Sequence, residues 1–268
     1  MDIAKIEKRE ALEHIDEIIE EADAVMVARG DLGAEIPPEE VPRYQKEIIR
    51  RAVIRGRAVI TATQMLESMT TSPTPTRAEA SDVANAVCDG TSALMLSGET
   101  SIGRYPVEAV RTMDRIARNA EEHLTSYRGL FLSEVEDHSF HRPVNQSPAG
   151  ITAAIAHAAC RLAENLGASA VLTPTSSGAT ARQVSRFRPR VPIIATSPNF
   201  IVQRQLSLEW GVRPLYQPLT SDTDSTTRGA VQAALGDRIL RPGDLAVVTG
   251  ASRPNVPGNT DFINVELA

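Results

Sequence analysis

The sequence predicts an α/β protein in which parallel strands alternate with helices, arranged as two successive domains. Three observations carry this. Short apolar runs of strand length recur through the first 122 positions, each followed by a stretch of helical period. This rhythm stops in a polar stretch at 126–149 that carries Pro143 and Pro148 and shows no clean period. A second strand–helix series then runs to the end of the chain. Repeated strand–helix units are the pattern of a (β/α) barrel or of a doubly wound sheet.

In order, Ile3–Ile6 reads as a strand and 9–21 as one helix, with Leu12, Ile15, Ile18 and Ile19 at helical spacing. Ala24–Ala28 (AVMVA) and Ala58–Ala62 (AVITA) read as strands flanking a helix at 41–55. Arg77–Cys88 reads as a helix, 93–96 (ALML) as a strand, and 106–122 as a helix with Val107, Val110, Met113, Ile116 and Ala117 on one face. The polar stretch is read as the domain junction, which divides the chain into 1–127 and 128–268. Beyond it come helices at 150–166, 179–187, 200–209 and 221–235. The strands between and after them fall at 170–173, 193–195, 212–215, 245–249 and 262–265. Right-handed βαβ connections make this second sheet mostly parallel.

Composition narrows the function. The 268 residues hold 28 Lys+Arg and 34 Asp+Glu, for a net charge of −6, with no basic block, which speaks against nucleic acid as a partner. No apolar run approaches the length of a membrane span, and MDIAKIEKRE has no apolar signal core. Cys88 and Cys160 stand far apart without a CxxC spacing, the pattern of a reducing compartment. A cytoplasmic protein is expected.

Candidate chemistry lies where the strands of the first half end. Lys5 and Glu7, two apart, point to one side of the first strand. Asp31 follows the second strand in ARGDLG, where Gly30 and Gly33 permit a tight turn. Thr63 follows the third strand, and Ser97 and Glu99 follow the fourth. These positions recur about one strand–helix unit apart, so a barrel would gather them on the face where catalytic groups collect. Glu7 and Asp31 are hard oxygen ligands suited to Mg²⁺. Lys5 and the Gly30 and Asp31 N–H groups suit a phosphoryl group, to which Thr63 adds a hydroxyl. Taken singly, Lys-x-Glu also reads as a surface ion pair and RGDLG as a plain turn. His14 and His157 fall on helices without a partnering pattern.

The stretches KIEKREAL, VMVARGDLGAEIP, VITATQMLESM, PTPTRAEASDVANAVCDGTSALMLSGETSIGRYPVEAV and LRPGDLAVVTG resemble the pyruvate kinase family. The resemblance implies a partial (β/α)8 TIM barrel, matching strands five to eight, followed by that family's C-terminal regulatory α/β domain. It implies transfer of the phosphoryl group of phosphoenolpyruvate to ADP, giving pyruvate and ATP. Lys5 would stabilise the phosphoryl group and the enolate. Glu7 and Asp31 would hold Mg²⁺ or Mn²⁺, and Gly30, Asp31 and Thr63 would contact phosphoenolpyruvate. Ser97 and Glu99 match positions near a proton route to the enolate.

In the second half, TPTSSGATAR matches the family's loop for the phosphate of a sugar-phosphate effector, through Thr175, Ser176, Ser177, Gly178 and Thr180. Hydroxyls ahead of a helix suit an anion, and equally a plain N-cap. The effector is expected to be a sugar phosphate or a nucleotide, and the alternative function for the chain is a non-catalytic phosphometabolite-binding module that uses this loop. SDTDSTT stands where some members carry a tryptophan, and ASRPNVPGNTD departs from a glycine-rich final loop.

Barrel strands one to four, the lid domain and the groups for K⁺ and nucleotide phosphates have no counterpart here. Asp2 stands where a hydrophobic residue is expected, so a truncated chain, poorly active alone, is the expectation. Half a barrel would also leave two open edges and an apolar inner face of roughly 1,000 Å². The family tetramer would need contacts from the absent half.

Overall fold

The computed structural model describes residues 1–123, 148–220, 222–252 and 260–268. The chain separates into two compact units, Met1–Glu134 and Val135–Ala268. The expected junction falls largely on 124–147, outside the described residues, as do His138, His141 and the final loop at 253–259.

In the first unit, β1 (Ile3–Ile6), β2 (Ala24–Ala28), β3 (Ala58–Ala62) and β4 (Ala93–Met95) form one sheet in that order, all parallel. Among the described residues the sheet is open: four strands, not a closed barrel. Its connections hold α1 (Arg9–Glu13), α2 (Ile15–Glu21), α3 (Arg29–Glu35), α4 (Val41–Ile54) and α5 (Arg77–Cys88); α6 (Gly98–Ser101) and α7 (Pro106–His123) follow β4. One face of the sheet packs its helices through Ile6, Val25, Val27 and Val59 against Ile15, Ile19, Ile48, Ile49, Ala52 and Val53. The opposite face is the one expected to expose apolar surface. Its side chains, alternating with that set, mix small and large apolar groups: Ala24, Ala28, Ala58 and Ala62 are fully buried and Ile60 nearly so, Met26 is half-buried and Ile3 is exposed.

Two local expectations are corrected. The single helix at 9–21 is broken at His14 (φ −112°, ψ 22°) into α1 and α2. Ile15 and Ile19 enter the core, while Leu12 and Ile18 pack at its edge. The RGDLG segment is not a tight turn but the helix α3, and neither Gly30 nor Gly33 takes a positive φ.

Helix α5 starts on a capping box: Glu79 N–H donates to Thr76 Oγ1 (3.2 Å) and Thr76 N–H to Glu79 Oε2 (2.7 Å). Glu79 also accepts from the Ser68 N–H (2.7 Å) and hydroxyl (2.5 Å), tying the turn Glu67–Thr70 to this helix. Burial pushes the Glu79 carboxyl up, but the hydrogen bonds from Ser68 and Thr76 outweigh it and hold the carboxyl below its usual value. A lowered folded value makes this contribution present above the ordinary glutamate range and lost as pH falls through the folded value. Glu79→Gln is expected to lower stability at pH 7 by about 1 kcal/mol and to flatten the acid-side loss. Urea unfolding at pH 7 and pH 4 checks both, and equal midpoints for the two proteins at pH 7 would contradict it.

The second unit opens with α8 (Pro148–Leu166), two residues earlier than expected, followed by β5 (Ala170–Pro174), α9 (Ala179–Ser185), β6 (Ile193–Ser197) and α10 (Phe200–Leu206). It continues with β7 (Val212–Tyr216), α11 (Thr223–Gly236), β8 (Leu245–Gly250) and β9 (Phe262–Leu267). Its sheet runs β7-β6-β5-β8-β9, with only β9 antiparallel. Ala170, Leu172, Ile194, Ala246 and Val248 build its core with Ala230, Val231 and Ala234 of α11. His157 on α8 lies against the Phe187 ring (5.1 Å between centroids). Among the described residues, no helix is long and apolar enough to cross a membrane.

Candidate active site

Parallel register sets the site. Ile6 pairs with Val27, Ala28 with Ala62, and Ala62 with Met95, so the carboxyl ends of all four strands share one edge of the sheet. Glu7, the 29–31 segment, Thr63 and Ser97 each follow one of those ends.

Lys5 and Glu7 do lie on one side of β1. Lys5 Nζ sits 2.5 Å from Glu7 Oε2 and 2.7 Å from Asp31 Oδ2, so one ammonium bridges two carboxylates. The hydrogen bond from Lys5 holds the Asp31 carboxyl below its usual range, and Asp31 followed by Glu7 pushes the Lys5 ammonium above its own. All three side chains are substantially open to solvent. Two exposed carboxylates converging on one cation fit a divalent metal that draws its remaining ligands from water and substrate oxygens. Among the described residues no group of three or more His, Cys, Asp and Glu converges.

Thr63 and Gln64 form the second part of the site. Both have left-handed backbones (φ 67° and 54°), a conformation that costs a β-branched residue about 1–3 kcal/mol. The Thr63 hydroxyl accepts from the Gly30 N–H (2.8 Å) and donates to the Ala62 carbonyl (2.7 Å). The Gly30 N–H, expected to hold a phosphoryl group, here donates to the Thr63 hydroxyl. A Cβ at residue 30 would stand 3.3 Å from Thr63 Oγ1, so glycine is what permits this approach.

Sequence reasoning missed Arg29. Its side chain is buried at the start of α3 and gives hydrogen bonds to the Thr63 and Gln64 carbonyls and to Asp82 and Gln45. An arginine closing an apolar strand was the available signal; its acidic partner lies 53 positions away, with nothing in the sequence to connect them. A cleft of about 330 Å³, lined by Arg29, Gly30, Gly33, Val41, Gln64 and Asp82 among others, opens beside it.

Ser97 and Glu99 sit at the end of β4. Glu99 is buried, and its oxygens accept from the Leu66 N–H (3.0 Å) and the Ser97 N–H (2.7 Å). Both are thus spent on backbone amides, the placement of a structural pin. In the second unit the 175–180 loop largely caps itself. Gly178 N–H donates to Thr175 Oγ1 (2.9 Å) and Ala179 N–H to Ser177 Oγ (3.4 Å). Thr180 is buried against Thr260 (2.8 Å between hydroxyl oxygens), while Ser176 is exposed. The hydroxyls of Thr175, Ser177 and Thr180 therefore already have protein partners.

An ammonium and two carboxylates stand beside a strained threonine at the carboxyl edge of parallel β/α units, the edge where β/α-barrel folds gather their functional groups. The family described as pyruvate kinase, barrel domain, matches residues 2–110, and that described as pyruvate kinase, alpha/beta domain, matches residues 153–266. The chain is 48% identical over 265 residues to pyruvate kinase 2 of Synechocystis, covering 99% of this chain and 42% of that protein. It is 47% identical over 265 residues to the pyruvate kinase of Geobacillus stearothermophilus (99% and 43%). Against that of Clostridium acetobutylicum it is 45% identical over 264 residues (98% and 54%). This chain belongs to the pyruvate kinase family. It spans about half the length of these relatives.

Proposed function

We propose that the strand-end cluster is the metal- and phosphoryl-binding part of a pyruvate kinase site, which transfers the phosphoryl group of phosphoenolpyruvate to ADP in glycolysis. The observation that carries this is Lys5 Nζ shared between Glu7 and Asp31. Glu7 and Asp31 would hold Mg²⁺ or Mn²⁺, which supplies charge neutralisation for phosphoryl and carboxylate oxygens. Lys5 offers a positive charge that follows the phosphoryl group as its bond to the enol oxygen breaks, and it then faces the enolate left behind. The Thr63 hydroxyl, now directed at its neighbour's carbonyl, turns to donate to the substrate. Contacts to ADP and K⁺, and a tetrameric assembly, are carried over from the family alone.

Because the chain matches about half of its relatives, binding and turnover are tested apart. Calorimetry with phosphoenolpyruvate is expected to show binding that depends on Mg²⁺ or Mn²⁺. A coupled assay with ADP, Mg²⁺ and K⁺ is expected to show little or no turnover by this chain alone. Metal-independent binding, or none, would contradict the assignment of the site. Turnover at the rate of a full-length relative would contradict only the expectation of poor activity.

A further inference from the structure

We propose that Arg29 is the positioning residue of this site: its buried guanidinium holds Thr63 and Gln64 in their left-handed conformation and so keeps the Thr63 hydroxyl beside Gly30 and Asp31. This rests on the reading of the strand-end cluster as a phosphoenolpyruvate site.

An arginine next to a phosphoryl site would ordinarily be taken as a ligand for the anion. Here its donors are spent on the protein. Nη1 donates to both oxygens of Asp82 (2.8 and 2.7 Å) and to Gln45 Oε1 (3.3 Å). Nη2 donates to the Thr63 carbonyl (2.7 Å), with Met65 Sδ at 2.7 Å and the Gln64 carbonyl at 3.2 Å. Nε is shared between the carbonyls of Thr63 (3.3 Å) and Ala62 (3.4 Å). A guanidinium has five N–H donors, and these contacts account for all of them. Its charge is answered by Asp82, itself on α5, so nothing remains to bind a phosphate.

What the guanidinium grips is the strained part of the backbone. Two consecutive non-glycine residues at positive φ do not hold that conformation unaided. The fork collects their carbonyls, and Asp82 anchors the fork from the opposite side. Gln45 steadies the arrangement, donating to Asp89 Oδ2 (2.9 Å) while accepting from Arg29. At the other end of the same turn, the Gly30 N–H fixes the Thr63 hydroxyl. Since Gly30 directly follows Arg29, a single stretch of α3 sets both the backbone and the side chain of Thr63. Lysine in place of Arg29 keeps the charge for Asp82 but cannot span both carbonyls and the carboxylate at once.

The test uses the full chain in three forms: unaltered, Arg29→Lys, and Arg29→Lys with Gln64→Gly. Hydrogen exchange of the 62–66 backbone reads the turn without ligand, Mn²⁺ titration reads Glu7 and Asp31, and calorimetry with phosphoenolpyruvate and Mn²⁺ reads the assembled site. Arg29→Lys is expected to exchange about tenfold faster at 62–66, to keep Mn²⁺ affinity within about twofold, and to bind phosphoenolpyruvate about ten- to a hundredfold more weakly. Glycine at 64 takes a positive φ at no steric cost, so the double variant should recover part of that affinity, which a general loss of stability would not allow. Unchanged exchange, or unchanged phosphoenolpyruvate affinity in a folded Arg29→Lys protein, would overturn the proposal. Failure of the unaltered chain to bind phosphoenolpyruvate would instead overturn the site's assignment, and would remove the ligand-positioning role with it. The exchange arm would still show whether Arg29 holds the turn.

Discussion

Glu99→Ala is expected to destabilise the first unit by about 2–4 kcal/mol. The carboxylate is 1% exposed and accepts from two backbone amides, Leu66 N–H and Ser97 N–H. Removing it strands both donors, one of them the N–H of Leu66, whose side chain lies in the buried cluster with Met65 and Met69. Each unsatisfied donor costs about 1–3 kcal/mol, and the vacated space adds to that. Glu99→Gln sharpens the interpretation. Its amide can turn an oxygen to one N–H only, leaving NH₂ against the other donor, so a partial loss is expected. The chain's one tryptophan, Trp210, lies in the second unit, so hydrogen exchange of the β3-to-α5 segment is the suitable reading. A change below about 0.5 kcal/mol would show that Glu99 is not the pin. Protection lost around Leu66 would tie the pin to the loop that carries Thr63.

Several parts of this arrangement are legible in the sequence. The alternation of AVMVA and AVITA with helical patterns gives the parallel strands, because period and length report burial directly. The two-residue spacing of Lys5 and Glu7 gives their common side, since strand side chains alternate. Asp31 and Thr63 are found because they fall within three residues after strand ends. The helical state of RGDLG is hidden because two glycines weigh toward a turn, whereas the chain after β2 has to pack Leu32 and Ile36, both buried. The left-handed Thr63 carries no local signature, since a β-branched residue is disfavoured there and only tertiary contacts hold it. Arg29 and Asp82 meet across 53 positions, a pairing that no periodicity encodes. What is hard to read is thus the part stabilised by long-range contacts, and at this site that part does the positioning.

The same division of labour predicts that Lys5→Met separates metal binding from substrate binding. Lys5 is the ammonium between Glu7 and Asp31, and it holds Asp31 below its usual carboxylate range. Without it, two exposed carboxylates face each other with no cation between them, an arrangement that welcomes a divalent ion. Mn²⁺ affinity at pH 7 is therefore expected to hold or rise. The Asp31 carboxyl moves back up, and a metal needs it deprotonated. Acidification should then expel Mn²⁺ from the variant at a higher pH than from the unaltered chain. Phosphoenolpyruvate loses the positive charge that offsets its phosphoryl group, so its affinity in the presence of Mn²⁺ should fall by about tenfold or more. Lys5→Arg keeps a positive charge in a wider, planar head, so it should retain part of that affinity while fitting less well between the carboxylates. Parallel titrations with Mn²⁺ and phosphoenolpyruvate distinguish the outcomes. If Lys5→Met lost both ligands together, the lysine would be organising the carboxylates and not neutralising the substrate. If it lost neither, the bridge would be an ordinary surface ion pair.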